Sequence, residues 1–140
     1  MAKKISKRIK VMITGGKATP AAPLGPALGQ AGINIGEFVT KFNAVSQAFA
    51  GETVTAKINV YEDRSFDFRV VTPPASGLIK EAAGVEKGSG KNTVTKAGSI
   101  TKAQAREIAE RKLADLTAHD SNAAAKIIEG TARSMGIDVK

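Results

Sequence analysis

Three stretches of this chain have residue types and spacing that could do chemistry. The first, Gly88-Ser-Gly-Lys-Asn-Thr93, has the look of a phosphate-binding loop. It lacks two parts of the nucleotide-hydrolysing pattern. Val85 stands where a glycine is needed five residues before Gly90, and Asn92 stands where Ser or Thr should follow Lys91. A clamp on a phosphate ribbon fits better. Glycines let the main chain come close, and Lys87, Lys91 and Lys96 supply charge without demanding a fixed geometry. A flexible, solvated loop is the plainer alternative.

The second stretch is Gly130-Thr-Ala-Arg-Ser-Met-Gly136. A glycine inside a helix costs about 1 kcal/mol against alanine, and a helix that keeps one often has another backbone passing close. Gly130, Thr131 and Ser134 fall within one turn and make a small polar face. Short hydroxyls and bare backbone suit the shallow minor groove of RNA, where 2′-hydroxyls are exposed. A DNA major groove would suit a row of Arg, Lys, Asn or Gln, and Arg133 is the one such residue here. A helix that simply ends early is the alternative. The third stretch, Pro20-Ala-Ala-Pro23-Leu-Gly-Pro26-Ala-Leu-Gly29, is apolar and Pro-rich, with no charge between Lys17 and Glu37. Repeated proline predicts an extended, polyproline-like path that presents its side chains to a partner or flat ligand. A long connection packed on a sheet is the other reading.

Other chemistries find little support. The chain has no Cys and a single His, His119, so a disulfide framework, a Cys-based zinc site, a Cys nucleophile and a multi-His metal site are excluded. Carboxylates are scattered, and His119 falls in a predicted loop. The reading is therefore no enzyme, no metal and no cofactor. Lys and Arg number 21 against 13 Asp and Glu, a net charge of +8 over 140 residues, which points to a polyanion and first to nucleic acid. No apolar run approaches the ~18 residues of a membrane span. The basic N-terminus lacks the apolar block of a secretion signal, so an intracellular, reducing compartment is expected.

These stretches need elements to hold them. All six aromatic residues precede residue 72, and Pro73-Pro74 marks the change in composition. Two adjacent prolines read as a semi-rigid linker, so a boundary falls there. Residues 1–72 carry ten basic and five acidic residues, and residues 73–140 carry eleven and eight. In the first part Ile5, Ile9, Val11 and Ile13 predict a strand. Ile35, Phe38, Val39, Phe42 and Val45 predict a helix, opened by a capping box of Asn34 with Glu37. Val54–Val60 and Phe66–Val70 alternate again around a polar turn, Glu62-Asp-Arg-Ser65. The result is a β-α-β-β unit, an α/β sandwich with one helix on a three-stranded sheet. The second part predicts three helices. Ser76 caps the first, which carries Leu78, Ile79, Ala82 and Ala83 and stops at Gly84. A loop over 86–99 follows. A Thr101/Gln104 capping box opens the second, with Ala105, Ile108, Ala109, Lys112/Leu113 and Leu116 inward. Asp120 or Ser121 caps the third, with Ala124, Ile127, Ile128, Ala132 and Met135 inward and Gly136 as its stop. The fold class is α+β, with a compact helical bundle of modest stability in the second part.

Five segments in order make the chain resemble the bacterial ribosomal protein L eleven family over residues 3–139. They are Lys17-Ala-Thr-Pro-Ala-Ala-Pro-Leu-Gly-Pro-Ala-Leu-Gly-Gln30, Asp63-Arg-Ser-Phe66, Thr72-Pro-Pro-Ala75, Gly88-Ser-Gly-Lys91 and Gly130-Thr-Ala-Arg-Ser-Met-Gly136. The resemblance implies an N-terminal α/β domain over 1–72 that meets translation factors and a hinge at Pro73 and Pro74. It also implies a homeodomain-like three-helix domain over 75–140 that binds large-subunit ribosomal RNA at the GTPase-associated centre. The RNA-facing residues it implies are Lys87, Gly88, Ser89, Gly90 and Lys91 in the loop, and Gly130, Thr131, Ser134, Met135 and Gly136 on the last helix. Stalk proteins, elongation and release factors and thiopeptide antibiotics are the further partners implied, with Pro23 and Pro26 at the antibiotic pocket. Ala22-Pro23 stands where that family usually has two consecutive prolines, and Asn92-Thr93-Val94 replaces a Pro-containing sequence. Lys3 matches a position methylated in some members. The implied address is the cytoplasm, on the large ribosomal subunit, with an organelle as the other possible source. The rivals are a DNA-binding three-helix module, a phosphate-binding enzyme using residues 88–93, and a factor acting off the ribosome.

Overall fold

The computed structural model describes residues 3–21 and 24–140. Two compact units meet between Pro73 and Pro74, each with its own hydrophobic core.

The first unit is built on an antiparallel sheet of three strands in the order β1-β2-β3: β1 (Ile5–Thr14), β2 (Thr53–Tyr61) and β3 (Phe66–Val71). Side chains alternate between the two faces. Ile9, Ile58 and Phe68 lie abreast on the inner face, as do Val11, Ala56 and Val70. Helix α2 (Ile35–Ser46) covers that face with Phe38 and Phe42, both fully buried. Phe38 meets Phe68 edge-on with centroids 5.4 Å apart and stacks on Phe42 at 5.7 Å. The turn Glu62–Ser65 closes the β2–β3 hairpin as its sequence predicts, with Arg64 in left-handed backbone at φ 63°.

Three expectations for this unit need correction. The Pro-rich stretch is not extended throughout, because Leu24–Gly29 forms a short helix, α1, and the sheet carries two helices rather than one. Pro26 is compatible with this because it sits in the first turn, where an N–H has no helical partner. Leu24 and Leu28, four residues apart, supply the buried side. Asn34 caps α2 by accepting from the Glu37 N–H at 3.3 Å, but the reciprocal half of the box is missing. The Glu37 carboxylate instead takes Lys41 one turn on, at 2.6 Å.

The second unit contains α3 (Ala75–Ala83), α4 (Lys102–Lys112) and α5 (Ser121–Ser134). It also contains a two-stranded parallel sheet, β4 (Gly98–Ile100) with β5 (Ile137–Val139), which the helical reading lacked. Three-residue strands are too short for a period of two to register. Pro74, not Ser76, is the N-cap residue of α3, since its ψ of 140° turns the chain into the helix two residues earlier. Gly84, at φ 68°, ends it, with the Val85 N–H bonding back to the Lys80 carbonyl. The Thr101/Gln104 box is complete, and the Asp120 carboxylate accepts the Ala123 N–H at 2.7 Å. Ile127, expected inside, is not, and of the alternatives Lys112 and Leu113 it is Lys112 that is buried. Ile127 is 41% exposed and Leu113 39%, while Lys112 is buried beside Ala109. The α-helical run ends at Lys112 and passes into a 3₁₀ turn over Leu113–Asp115, which rotates Leu113 outward.

Candidate RNA interface

The segment between α3 and β4 does not hang free. It folds back onto the C-terminal end of α5. The Ser89 N–H donates to the Met135 carbonyl at 2.8 Å, and the Ala97 N–H donates to the Gly136 carbonyl at 2.8 Å. Two glycines permit this approach. A Cβ on Gly88 would lie 3.1 Å from the Met135 oxygen. One on Gly136 would lie 2.6 Å from Ser89 Cβ, and Gly136 also has φ 74°. Within the loop, the Thr95 N–H bonds to the Lys91 carbonyl at 2.8 Å and the Lys91 N–H to Ser89 Oγ at 3.1 Å. A shallow groove of about 330 Å³ runs between Ser89, Gly90, Lys91, Thr95 and Ala97. Loop and helix end thus make one continuous surface.

The predicted residues divide by role. Lys87, Gly90 and Lys91 are exposed, and Gly88 and Ser89 are half-buried. Lys87 and Lys91 make no ion pair among the described residues, whereas Lys96 is held by Asp138 at 3.3 Å. On α5, Gly130 and Ser134 are exposed, and Thr131 and Met135 are half-buried. Gly136 is buried under Ser89 and Asn92, so it positions the loop rather than offering contact area. Among the described residues no other backbone passes Gly130. A Cβ there would meet nothing within 4 Å. The close approach expected at Gly130 is found instead at Gly88 and Gly136, and the space over Gly130 is open to another molecule. The Thr131 hydroxyl donates to the Ile127 carbonyl at 3.1 Å, and the Ser134 hydroxyl donates to the Thr131 carbonyl at 2.7 Å. With their protons engaged, both oxygens present lone pairs outward, matched to 2′-hydroxyl donors. Lys126 and Ile127 add to the exposed surface beside this face. They stand one turn before Gly130 and Thr131, at the four-residue spacing that makes helix residues neighbours.

Residues 71–139 match the family model described as "Ribosomal protein L11, RNA binding domain", and residues 9–66 match "Ribosomal protein L11, N-terminal domain". The chain belongs to the ribosomal protein L11 family. It is a large-subunit ribosomal protein that binds ribosomal RNA, and it is not an enzyme. The loop that resembles a nucleotide site accordingly runs from a helix to a strand, the reverse of the strand-to-helix setting that such a site needs. Among the described residues no group of His, Cys, Asp and Glu could hold a metal ion, and no helix is long and apolar enough to cross a membrane. His119 is exposed in the turn before α5.

The remaining expected residues lie elsewhere. Pro26 is exposed on α1, and Pro23 lies outside the described residues. A groove of about 210 Å³ beside this segment is lined by Met12, Thr14, Lys17, Thr19 and Leu24 among others. The start of the segment is tied to α2, because Asn43 exchanges two hydrogen bonds with the Ala18 backbone and Ser46 Oγ accepts the Gly16 N–H at 3.0 Å. Pro73 ends the first unit and Pro74 opens α3. Lys3 is clamped to the β2–β3 turn by Asp63 at 2.8 Å and Ser65 Oγ at 3.1 Å, with its ammonium 5.9 Å from the Tyr61 ring centre. The hydrogen bond from Lys3, backed by the Ser65 hydroxyl and N–H, holds the Asp63 carboxyl well below the usual carboxylate range. The Tyr61 phenol, bonded to Asp67, is pushed above its ordinary value.

Proposed function

We propose that residues 75–140 anchor the protein on the GTPase-associated region of large-subunit ribosomal RNA, in a homeodomain-like arrangement of α3, α4 and α5. The contacts are Lys87 to Lys91 in the loop, and Gly130, Thr131, Ser134 and Met135 on α5, with Gly136 setting the joint between them. The observation that carries this reading is the loop bonded onto the α5 end beside a bare, unobstructed Gly130. The lysines of the loop neutralise phosphates, and the hydroxyl face reads the minor groove. Residues 1–72 turn on Pro73 and Pro74 and meet elongation and release factors and the stalk proteins, with the segment of Pro23 and Pro26 forming part of the thiopeptide pocket. The role is positional. One RNA fold is stabilised, and a movable domain is held where factors arrive.

The test is binding of the full chain to GTPase-centre RNA across a salt series, with duplex DNA as competitor. RNA-selective binding that survives excess DNA and is lost with Gly130→Glu is the expected result. Equal affinity for duplex DNA would favour the DNA-binding reading, and indifference to Gly130→Glu would remove α5 from the interface.

A further inference from the structure

The first unit has a second charged surface, on the face of its sheet that α2 does not cover. Strand register decides its composition. Lys10 of β1 pairs with Lys57 of β2, which pairs with Arg69 of β3, so three cations stand abreast across the sheet. At the usual spacing between strands this row spans roughly 10 Å. Arg8 lies two residues along β1 on the same face, opposite Asn59. All four cations are exposed, and Arg8, Lys10 and Lys57 have no ion pair among the described residues. The one carboxylate on this face, Asp67 beside Asn59, takes the Tyr61 hydroxyl. A groove of about 420 Å³ passes between Arg8, Lys10, Lys57, Asn59, Asp67 and Arg69, among others.

Like charges directly opposite in a sheet are destabilising. Three in a row are a local conflict that folding alone does not explain, and such conflicts are expected where a surface serves binding. Helices α1 and α2 pack on the other face through Leu24, Leu28, Phe38 and Phe42, and Lys10 and Lys57 keep no carboxylate partner among the described residues. Beside Lys57 on β2 stand the short, neutral Thr55 and Asn59, and the one ring on this face, Tyr61, lies at the end of β2 with its hydroxyl bonded to Asp67 and the Lys3 ammonium 5.9 Å from its centre. This composition fits phosphate and sugar rather than base edges. The protein works embedded in ribosomal RNA, so the polyanion at hand is an RNA backbone, presented at the high local concentration that an anchored second unit provides.

We infer that the open face of the first sheet is a second RNA contact, one that grips a phosphodiester backbone through Arg8, Lys10, Lys57 and Arg69 without sequence preference. It goes beyond the loop–helix anchor; the choice of RNA as occupant rests on that anchored reading, while the charge of the face does not. An acidic polypeptide is the competing occupant, and the test separates the two.

The full chain is labelled with an acetylating reagent, and lysine reactivity is read by mass spectrometry alone, with poly(U), and with poly-L-glutamate at equal charge. Protection of Lys10 and Lys57 by poly(U) exceeding that by poly-L-glutamate is the expected result, and it should persist in the Gly130→Glu protein. That persistence separates this surface from the anchor on α5. In salt titrations with poly(U), the Lys10→Gln/Lys57→Gln protein should lose about 1.4 from the slope of log K against log salt, 0.7 for each contact removed. Its affinity at 0.1 M salt should fall by about an order of magnitude. The row is relieved, not broken, by these changes, so the thermal midpoint should hold or rise. Equal reactivity of Lys10 and Lys57 with and without poly(U), or an unchanged slope, would overturn the inference. Stronger protection by poly-L-glutamate would overturn it in favour of an acidic protein partner.

Discussion

Two glycines six residues apart on one helix end carry opposite constraints. Gly136 holds φ 74° and leaves 2.6 Å between a would-be Cβ and Ser89 Cβ, while Gly130 sits in ordinary helix facing empty space. Gly136→Ala should therefore destabilise the second unit by about 1–3 kcal/mol through backbone strain and displacement of the loop. Gly130→Ala should stabilise it by up to about 1 kcal/mol, because alanine is the better helix former and meets nothing. Thermal unfolding followed by circular dichroism checks both signs. A Gly130→Ala protein that melts higher yet binds GTPase-centre RNA more weakly would show a glycine kept for its partner rather than for the fold. Lys3 offers a second test at this scale. Its hydrogen bond is the largest cause of the depressed Asp63 acidity. A carboxylate whose folded pKa lies below the unfolded value of about 3.9 contributes stability above that pH and loses it as the pH falls towards the folded value. The clamp should accordingly hold through mild acid, and Lys3→Gln should move the Asp63 midpoint up towards about 3.9, as read by NMR titration of the carboxyl carbon.

At the scale of elements, helix starts separate cleanly into those closed by a side chain and those closed by backbone geometry. Thr101 and Gln104 satisfy each other's N–H groups at the head of α4. Thr101→Ala should cost about 1 kcal/mol. Ser76, although well placed in sequence, makes no cap, because Pro74 already directs the chain into α3. Ser76→Ala should change stability by less than about 0.5 kcal/mol. Denaturant midpoints of the two variants distinguish these outcomes. The pairing of β4 with β5 has a structural consequence of its own. It ties the strand after the loop to the strand after α5, so the loop's far end at Ala97 and the helix end at Gly136 are held by the same ladder.

For the whole molecule, two separate cores mean that stability is a property of each unit rather than of the chain. RNA bound by the second unit should raise that unit's unfolding free energy by about 2.7 kcal/mol at a hundredfold excess over Kd. Calorimetry of the full chain with GTPase-centre RNA reads this as a shifted transition. The transition of the first unit should move less, and only as far as its basic sheet face meets the same RNA. Both halves are net positive, so both shifts should shrink as salt is added.

What the sequence determined by itself was local. The alternation of Ile9, Val11 and Ile13, the spacing of Phe38 with Phe42, the Thr101 box and the Asp120 cap all depend on neighbours within a few residues. Composition alone carried the polyanion reading and the change of character at Pro73-Pro74. The tertiary structure decided what depends on residues far apart in the chain. Gly98–Ile100 found Ile137–Val139, and Ser89 found Met135. Leu24 and Leu28 found a core that folded a Pro-rich segment into a helix. Ile127, apolar and read as inward, faces out because orientation on a helix is settled by what packs against its neighbours. The row of Lys10, Lys57 and Arg69 exists only through strand register, which sets side chains abreast from three strands and which no local pattern contains.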